Sequence, residues 1–168
     1  FSPTGDFKGV TAQLDRLKAL GVTVLWLMPI HPTGKLKAKG TLGSPYAVRD
    51  YDAINPDYGT PDELKRLVEA AHRRGMKVLI DIVINHTGWG SALQENHPEW
   101  FVREKDGHFV SPGAWGVTWE DLVELKHQHV GLWDDLAEVF LTWCRRGIDG
   151  FRCDAGYKVP VPAWQYII

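Results

Sequence analysis

The sequence predicts an α/β fold, a parallel sheet whose faces are covered by helices. Three observations predict it. A unit of amphipathic helix, glycine and apolar strand occurs three times along the chain. Its strands are apolar nearly throughout, as strands covered on both faces are. Polar residues collect where the strands end.

The first unit sets Val10, Leu14 and Leu17 on one helical stripe, with Gly21 as the stop and residues 22–27 as a buried strand. In the second, Thr60 caps a helix, Pro61 takes its first position and Glu63 completes a capping box. Leu64, Leu67, Val68 and Ala71 follow at helical spacing. Arg73 and Arg74 suit the negative end of the helix dipole, Gly75 stops the helix, and residues 77–84 are the next strand. In the third, Leu132, Leu136, Val139, Phe140 and Trp143 form the stripe, Gly147 the stop and residues 148–153 the strand.

Two architectures satisfy this order, an open doubly wound sheet and an eight-stranded barrel. Both place function at the carboxyl ends of the strands. Asn85, His86, Arg152 and Asp154 cluster there, and Pro29 and His31 end the first strand. Residues 29–60 and 87–129 are long excursions from that same end, and loops of such length in a compact domain are functional more often than not.

Composition narrows the function. With 168 residues the chain is long enough for one domain with a real core. A net charge of −2 gives no reason to expect nucleic acid or an anionic membrane as partner. No apolar run is long enough to span a bilayer and no signal peptide is visible, so the chain reads as soluble, with cytoplasmic and secreted locations both open. It opens with Phe1, which suggests processing or truncation upstream. The two cysteines, Cys144 and Cys153, read as buried thiols acting as small hydrophobes. Eight tryptophans are many for this length. Trp89, Trp100, Trp115 and Trp119 share one polar stretch, where flat rings either stack on sugars or fill a small loop core.

The chemistry concentrates in Gly150-Phe151-Arg152-Cys153-Asp154-Ala155. Arg152 and Asp154, two apart at a strand end, point to one face. A guanidinium beside a carboxylate favours the charged form and fixes its orientation. An ionised, oriented carboxylate is what attack on an anomeric carbon requires, although these six residues taken alone fit a structural ion pair better. The preceding strand ends Asp81-Ile82-Val83-Ile84-Asn85-His86, with Asp81, Val83 and Asn85 on one face. Asp52 and Asp57 read as turn and capping residues. His97, His108, His127 and His129 lack metal-ligand spacing and read as solvated loop residues.

Taken together, these segments resemble the alpha-amylase family, glycoside hydrolase family 13. DIVINH and GIDGFRCDA match its first two signature regions. GDFKGVTAQLDRLKALGVTVLWLMPI resembles its first helix and second strand, and GSPYAVRDYDAINPDYGTPDEL its segment before the second helix. The resemblance implies part of a (β/α)8 TIM barrel, about strands two to four, built from residues 1–86 and 130–168. Residues 87–129 would be a short B-domain-like insertion.

It also implies roles. Asp154 would be the nucleophile of a retaining mechanism and Arg152 would orient it. His86 would hydrogen-bond the sugar beside the cleaved bond and Tyr46 would stack there. Asp81 would support Arg152, and Asn85 would be a candidate calcium ligand, a cation that prefers oxygen donors. The implied partner is an alpha-glucan or oligosaccharide, and no cofactor is needed for the chemistry. The chain departs from the family at Tyr157 and Lys158, where many members carry Lys-His. In those members the lysine contacts sugar beyond the cleaved bond and the histidine backbone often helps hold calcium. Lys126 stands where an acidic or amide residue is expected.

A retaining glycosidase needs a second carboxyl about 5–5.5 Å from the first. The family carries it as a glutamate after the fifth strand, whereas no Asp or Glu follows Asp154 in these residues. The remainder of the barrel is therefore expected elsewhere, and residues 1–168 alone are expected to show no turnover. Transglycosylation within the family and a non-catalytic amylase-like binding protein are the rival readings. A nucleotide-binding sheet is disfavoured, because no Gly-rich phosphate loop follows any strand.

Overall fold

The computed structural model describes residues 5–168, so Phe1 lies outside the described residues. The first predicted helix is two short ones, α1 (Phe7–Ala12) and α2 (Leu14–Ala19), parted at Gln13. Asp6 caps α1 by accepting from the Gly9 N–H at 2.6 Å. The three core strands are β1 (Val24–Leu27), β2 (Lys77–Val83) and β7 (Gly150–Asp154). They pair in parallel in that order, with Leu27 opposite Ile80 and Asp81 opposite Arg152.

β1 and β7 begin two residues later than predicted, β2 begins at Lys77 as predicted, and one closure recurs ahead of all three. The glycine after each helix has positive φ (Gly21 87°, Gly75 69°, Gly147 95°), which a residue without Cβ adopts freely. The residue after it then turns its N–H back onto the helix: Val22 to Leu17, Met76 to Ala71, Ile148 to Trp143, each at 3.0–3.1 Å. These closures satisfy last-turn carbonyls, and at Val22 and Ile148 they use the first residue of the predicted strand as helix cap.

Two longer helices cover one face of the sheet. Helix α3 (Pro61–Arg73) has the predicted capping box, with the Thr60 side chain accepting from the Glu63 N–H and Glu63 accepting from the Thr60 N–H. It buries Leu64, Leu67, Val68 and Ala71. Helix α5 (Val130–Arg145) buries Leu132, Leu136, Val139 and Trp143. Against these lie Leu25, Val78, Ile80 and Ile82, in one continuous core. The opposite face carries Trp26, Leu79, Asp81, Arg152 and Asp154, and there Trp26 is 55% exposed. Cys144 is exposed, contrary to the sequence expectation, and Cys153 is half-buried. One residue past Trp143 is a turn of 100° around the helix, which carries Cys144 off the buried stripe.

The second excursion is stitched at its two ends. β3 (His86–Gly88) pairs antiparallel with β6 (Leu122–Glu124), His86 opposite Glu124. Between them lie α4 (Ala92–Asn96) and a hairpin of β4 (Gly113–Ala114) and β5 (Val117–Thr118). The first excursion crosses the second at two glycines. A Cβ on Gly88 would lie 2.7 Å from the Ala47 carbonyl oxygen, and one on Gly34 would lie 3.2 Å from the Gly88 Cα. The Gly34 N–H donates to Ala47 and the Gly88 N–H to Val48 across this crossing. Helix α6 (Val161–Ile167) packs against α5.

Candidate active site

Strand β7 brings Arg152 and Asp154 to one face, and parallel pairing sets Asp81 beside them. Arg152 Nη1 donates to Asp154 Oδ1 at 2.7 Å and to both Asp81 oxygens at 3.0 and 3.2 Å. The phenol of Tyr46 donates to Asp81 Oδ2 at 3.2 Å. Asp81 is fully buried while the Arg152 side chain is 44% exposed. Burial pushes the Asp81 carboxyl above the usual carboxylate range, and the Arg152 charge and the two hydrogen bonds hold it back. Burial likewise raises the Tyr46 phenol, and the neighbouring Asp81 charge raises it further. Tyr46 is thus tied by its hydroxyl to the ion-pair network, a contact that lies 35 residues away in sequence.

His86 is buried at the exit of β2, its pKa pulled by burial, and then by the Lys158 charge, to about 4. Asn85 Nδ2 lies 3.1 Å from His86 Nδ1. With the amide as donor, the neutral ring carries its proton on Nε2, which has no hydrogen-bond partner among the described residues. The ring lies edge-on to Trp119, centroids 5.8 Å apart.

Tyr46, His86 and Asp154 meet in one cleft of about 260 Å³, completed by Trp119, Lys39 and Asp121. Lys39 closes an ion pair with the buried Asp121 at 3.1 Å. Sequence reasoning missed this pair, since 82 residues separate its members and neither sits in a pattern. A larger hollow, about 500 Å³ between α3 and α5, shares no lining residue with the cleft and does not contain Asp154.

The other sequence expectations divide. His127 is buried, with Nε2 at 2.9 Å from the Ile84 carbonyl, and is not a solvated loop residue. Its ring fastens the end of the excursion to the end of β2. His97 stacks on Trp100, centroids 3.8 Å apart, and His108 is exposed. Asp52 and Asp57 do sit in turns, but their backbone N–H groups donate to Asp50 and Asn55, whose side chains do the capping. Of the four excursion tryptophans, Trp89 and Trp100 pack against the core, Trp119 lines the cleft and Trp115 faces solvent.

Calcium takes six to eight oxygen ligands. Among the described residues no group of three or more His, Cys, Asp or Glu side chains gathers to hold a metal. Asn85 offers one side-chain oxygen, and its backbone carbonyl already accepts from the Leu125 N–H. No helix among the described residues is long and apolar enough to cross a membrane.

Comparison with known proteins agrees with the fold and the order of motifs. The family model of the alpha-amylase catalytic domain matches residues 2–164. An alpha-1,4-glucan:maltose-1-phosphate maltosyltransferase of Rhodospirillum rubrum is 35% identical over 98% of this chain and 26% of its own length. Alpha-amylase 3 of Dictyoglomus thermophilum is 28% identical over 92% of this chain and 33% of its own. The chain thus spans about a quarter to a third of such curated relatives. A crystal structure of an alpha-amylase from Lactobacillus plantarum superimposes with a TM-score of 0.93, at 45% identity over 99% of this chain and 39% of that one. The three-stranded sheet is part of a TIM barrel of that kind, and the chain belongs to the alpha-amylase family.

Proposed function

We propose that this chain is the nucleophile-bearing part of a retaining, alpha-glucan-active glycoside hydrolase. The observation that carries the reading is the shared guanidinium of Arg152, bonded at once to buried Asp81 and to Asp154 at the floor of a cleft. Anchoring on Asp81 fixes the guanidinium, and the guanidinium fixes the carboxylate. Asp154 attacks the anomeric carbon as the glycosidic C–O bond breaks, and the leaving oxygen takes a proton from a second carboxyl. That carboxyl belongs to residues of the intact enzyme outside this segment. Water, activated by the same second carboxyl, then cleaves the glycosyl ester and releases Asp154. His86, neutral at physiological pH, offers its Nε2–H to a sugar oxygen. Tyr46 forms the wall beside it, and Asp81 has a positioning role. Residues 87–129 are the B-domain-like insertion, with residues 1–86 and 130–168 as the partial barrel.

Transfer to a second sugar in place of water is the alternative, favoured by the maltosyltransferases among the relatives. Incubating the intact enzyme with a fluorinated glucosyl inhibitor and mapping the label by peptide mass spectrometry tests the nucleophile. The label is expected on Asp154, with Asp154→Asn lowering turnover by at least about 1,000-fold, the scale on which loss of a covalent nucleophile acts. Labelling of another residue refutes the assignment. Product analysis with added maltose separates hydrolysis from transfer.

A further inference from the structure

Residues 35–43 of the first excursion bury none of their side chains. Leu36 and Leu42, the two large apolar residues of this loop, are 63% and 58% exposed. Its base at Gly34 is fixed by the crossing with Gly88. Gly40, near the tip, and Gly43, at the return, have φ of 66° and 75°. Lys37 also has positive φ, at 55°, although it carries a side chain. That conformation persists where neighbouring contacts impose it.

Three contacts tie the loop to the second excursion. The Leu36 backbone bridges to Trp89, and the Lys37 ammonium lies 3.6 Å from the centroid of the Trp89 ring. Lys39 pairs with Asp121 at 3.1 Å. Trp89 is itself anchored, its indole N–H donating at 2.9 Å to the carbonyl of Glu120, the residue before Asp121. The Asp121 side chain is 5% exposed and that of Lys39 58%, so water reaches the pair from the loop's side. Both residues line the cleft that holds His86 and Asp154.

We infer that residues 35–43 are a lid on the cleft and that the Lys39–Asp121 pair is its clasp, released to let glucan enter and leave. The inference rests on the glucan reading and adds the step that gates it. The contacts suit a reversible closure. Buried apolar packing would lock the loop, whereas a half-exposed ion pair and a cation over a ring break and re-form readily. Release also lets Lys37 leave its left-handed backbone, which offsets part of what the clasp supplies.

The test is Asp121→Asn in the intact enzyme, which removes the charge without leaving a carboxylate unpaired. Trypsin reads lid opening, since Lys35, Lys37 and Lys39 all stay in place as cleavage sites. Cleavage there should rise about threefold to fivefold, the ratio a partly exposed ion pair supplies. Raising NaCl from about 0.05 to about 0.5 M should do the same to the parent enzyme and little to the variant. The salt arm needs no substitution, so it decides the question whether or not the variant folds well. Adding Lys39→Met to Asp121→Asn should leave cleavage after Lys35 and Lys37 where the single variant puts it. Stopped-flow tryptophan fluorescence follows maltoheptaose binding in an Asp154→Asn background. There Asp121→Asn should speed association and dissociation alike, with Kd changed less than about twofold. Unchanged cleavage and rates overturn the lid, and faster dissociation alone overturns it in favour of direct contact with sugar. No maltoheptaose binding at all, with lid cleavage still responding to salt, overturns the glucan reading and not the clasp.

Discussion

Acid should loosen this fold through His31, and by a calculable amount. The ring is fully buried, edge-on to Tyr51 at 5.9 Å and to Trp143 at 5.4 Å. Its Nδ1 lies 3.3 Å from the Ala53 carbonyl, and Nε2 has no partner among the described residues. Burial pulls the pKa from 6.5 to about 4, against the Ala53 contact, which raises it. Between those values the unfolded chain takes up a proton that the folded one refuses. The stabilisation is therefore complete above the unfolded value, falls as pH drops through the interval, and is gone below the folded value. At 1.36 kcal/mol per pKa unit, the loss is about 2 kcal/mol between about pH 7 and pH 5, and about 3 kcal/mol in full.

The perturbation is His31→Phe, which keeps a ring between Tyr51 and Trp143 but cannot charge. It gives up the Ala53 contact, about 1 kcal/mol at every pH. The variant should be the less stable protein at neutral pH and the more stable one at about pH 5, with curves crossing near about pH 6. Urea unfolding of both proteins at several pH values measures the difference. His86, also near 4, contributes to both proteins and cancels. Parallel pH profiles would show that protonation of His31 does not govern the acid limb.

Other perturbations follow from the same geometry. Arg152→Met leaves Asp81 buried without its guanidinium. The full cost of orphaning a buried charge is about 3–5 kcal/mol, and because Arg152 is 44% exposed we expect about 2. The Asp81→Asn, Arg152→Met double variant should recover most of it in urea unfolding. Thr60→Ala should cost about 1 kcal/mol by removing the cap on α3, with no change in KM. Tyr46→Phe deletes the 3.2 Å bond to Asp81 and should cost less than about 1 kcal/mol in stability while lowering kcat.

What could be read from the sequence was local chemistry. The Thr60-Pro61-Asp62-Glu63 cap and the glycine stops at 21, 75 and 147 are decided within a few residues, and each appears where its pattern stands. Arg152 and Asp154 are legible as a pair because a strand alternates strictly. Contacts made across the fold left no such trace. The Lys39–Asp121 ion pair, the Tyr46–Asp81 bond and the burial of His127 against Ile84 join segments 35 to 82 residues apart, through loops of no fixed period. Cys144 was misread because a single step of 100° separates it from the buried Trp143, and a helical stripe has no sharp edge. The break at Gln13 was hidden for the same reason, since the apolar spacing of Val10, Leu14 and Leu17 runs straight through it.

The crossing of Gly34 and Gly88 sets a boundary on how this architecture can vary. Two backbones touch there with no space for a methyl group between them. Further out the loops meet again, at the Lys39–Asp121 ion pair and where the Lys37 ammonium lies over the Trp89 ring. At the point of contact itself, a single added carbon would wedge the strands of the crossing apart and carry Tyr46, one residue before Ala47, away from Asp81. Variation in this molecule is thus most tightly bounded where the two glycines meet.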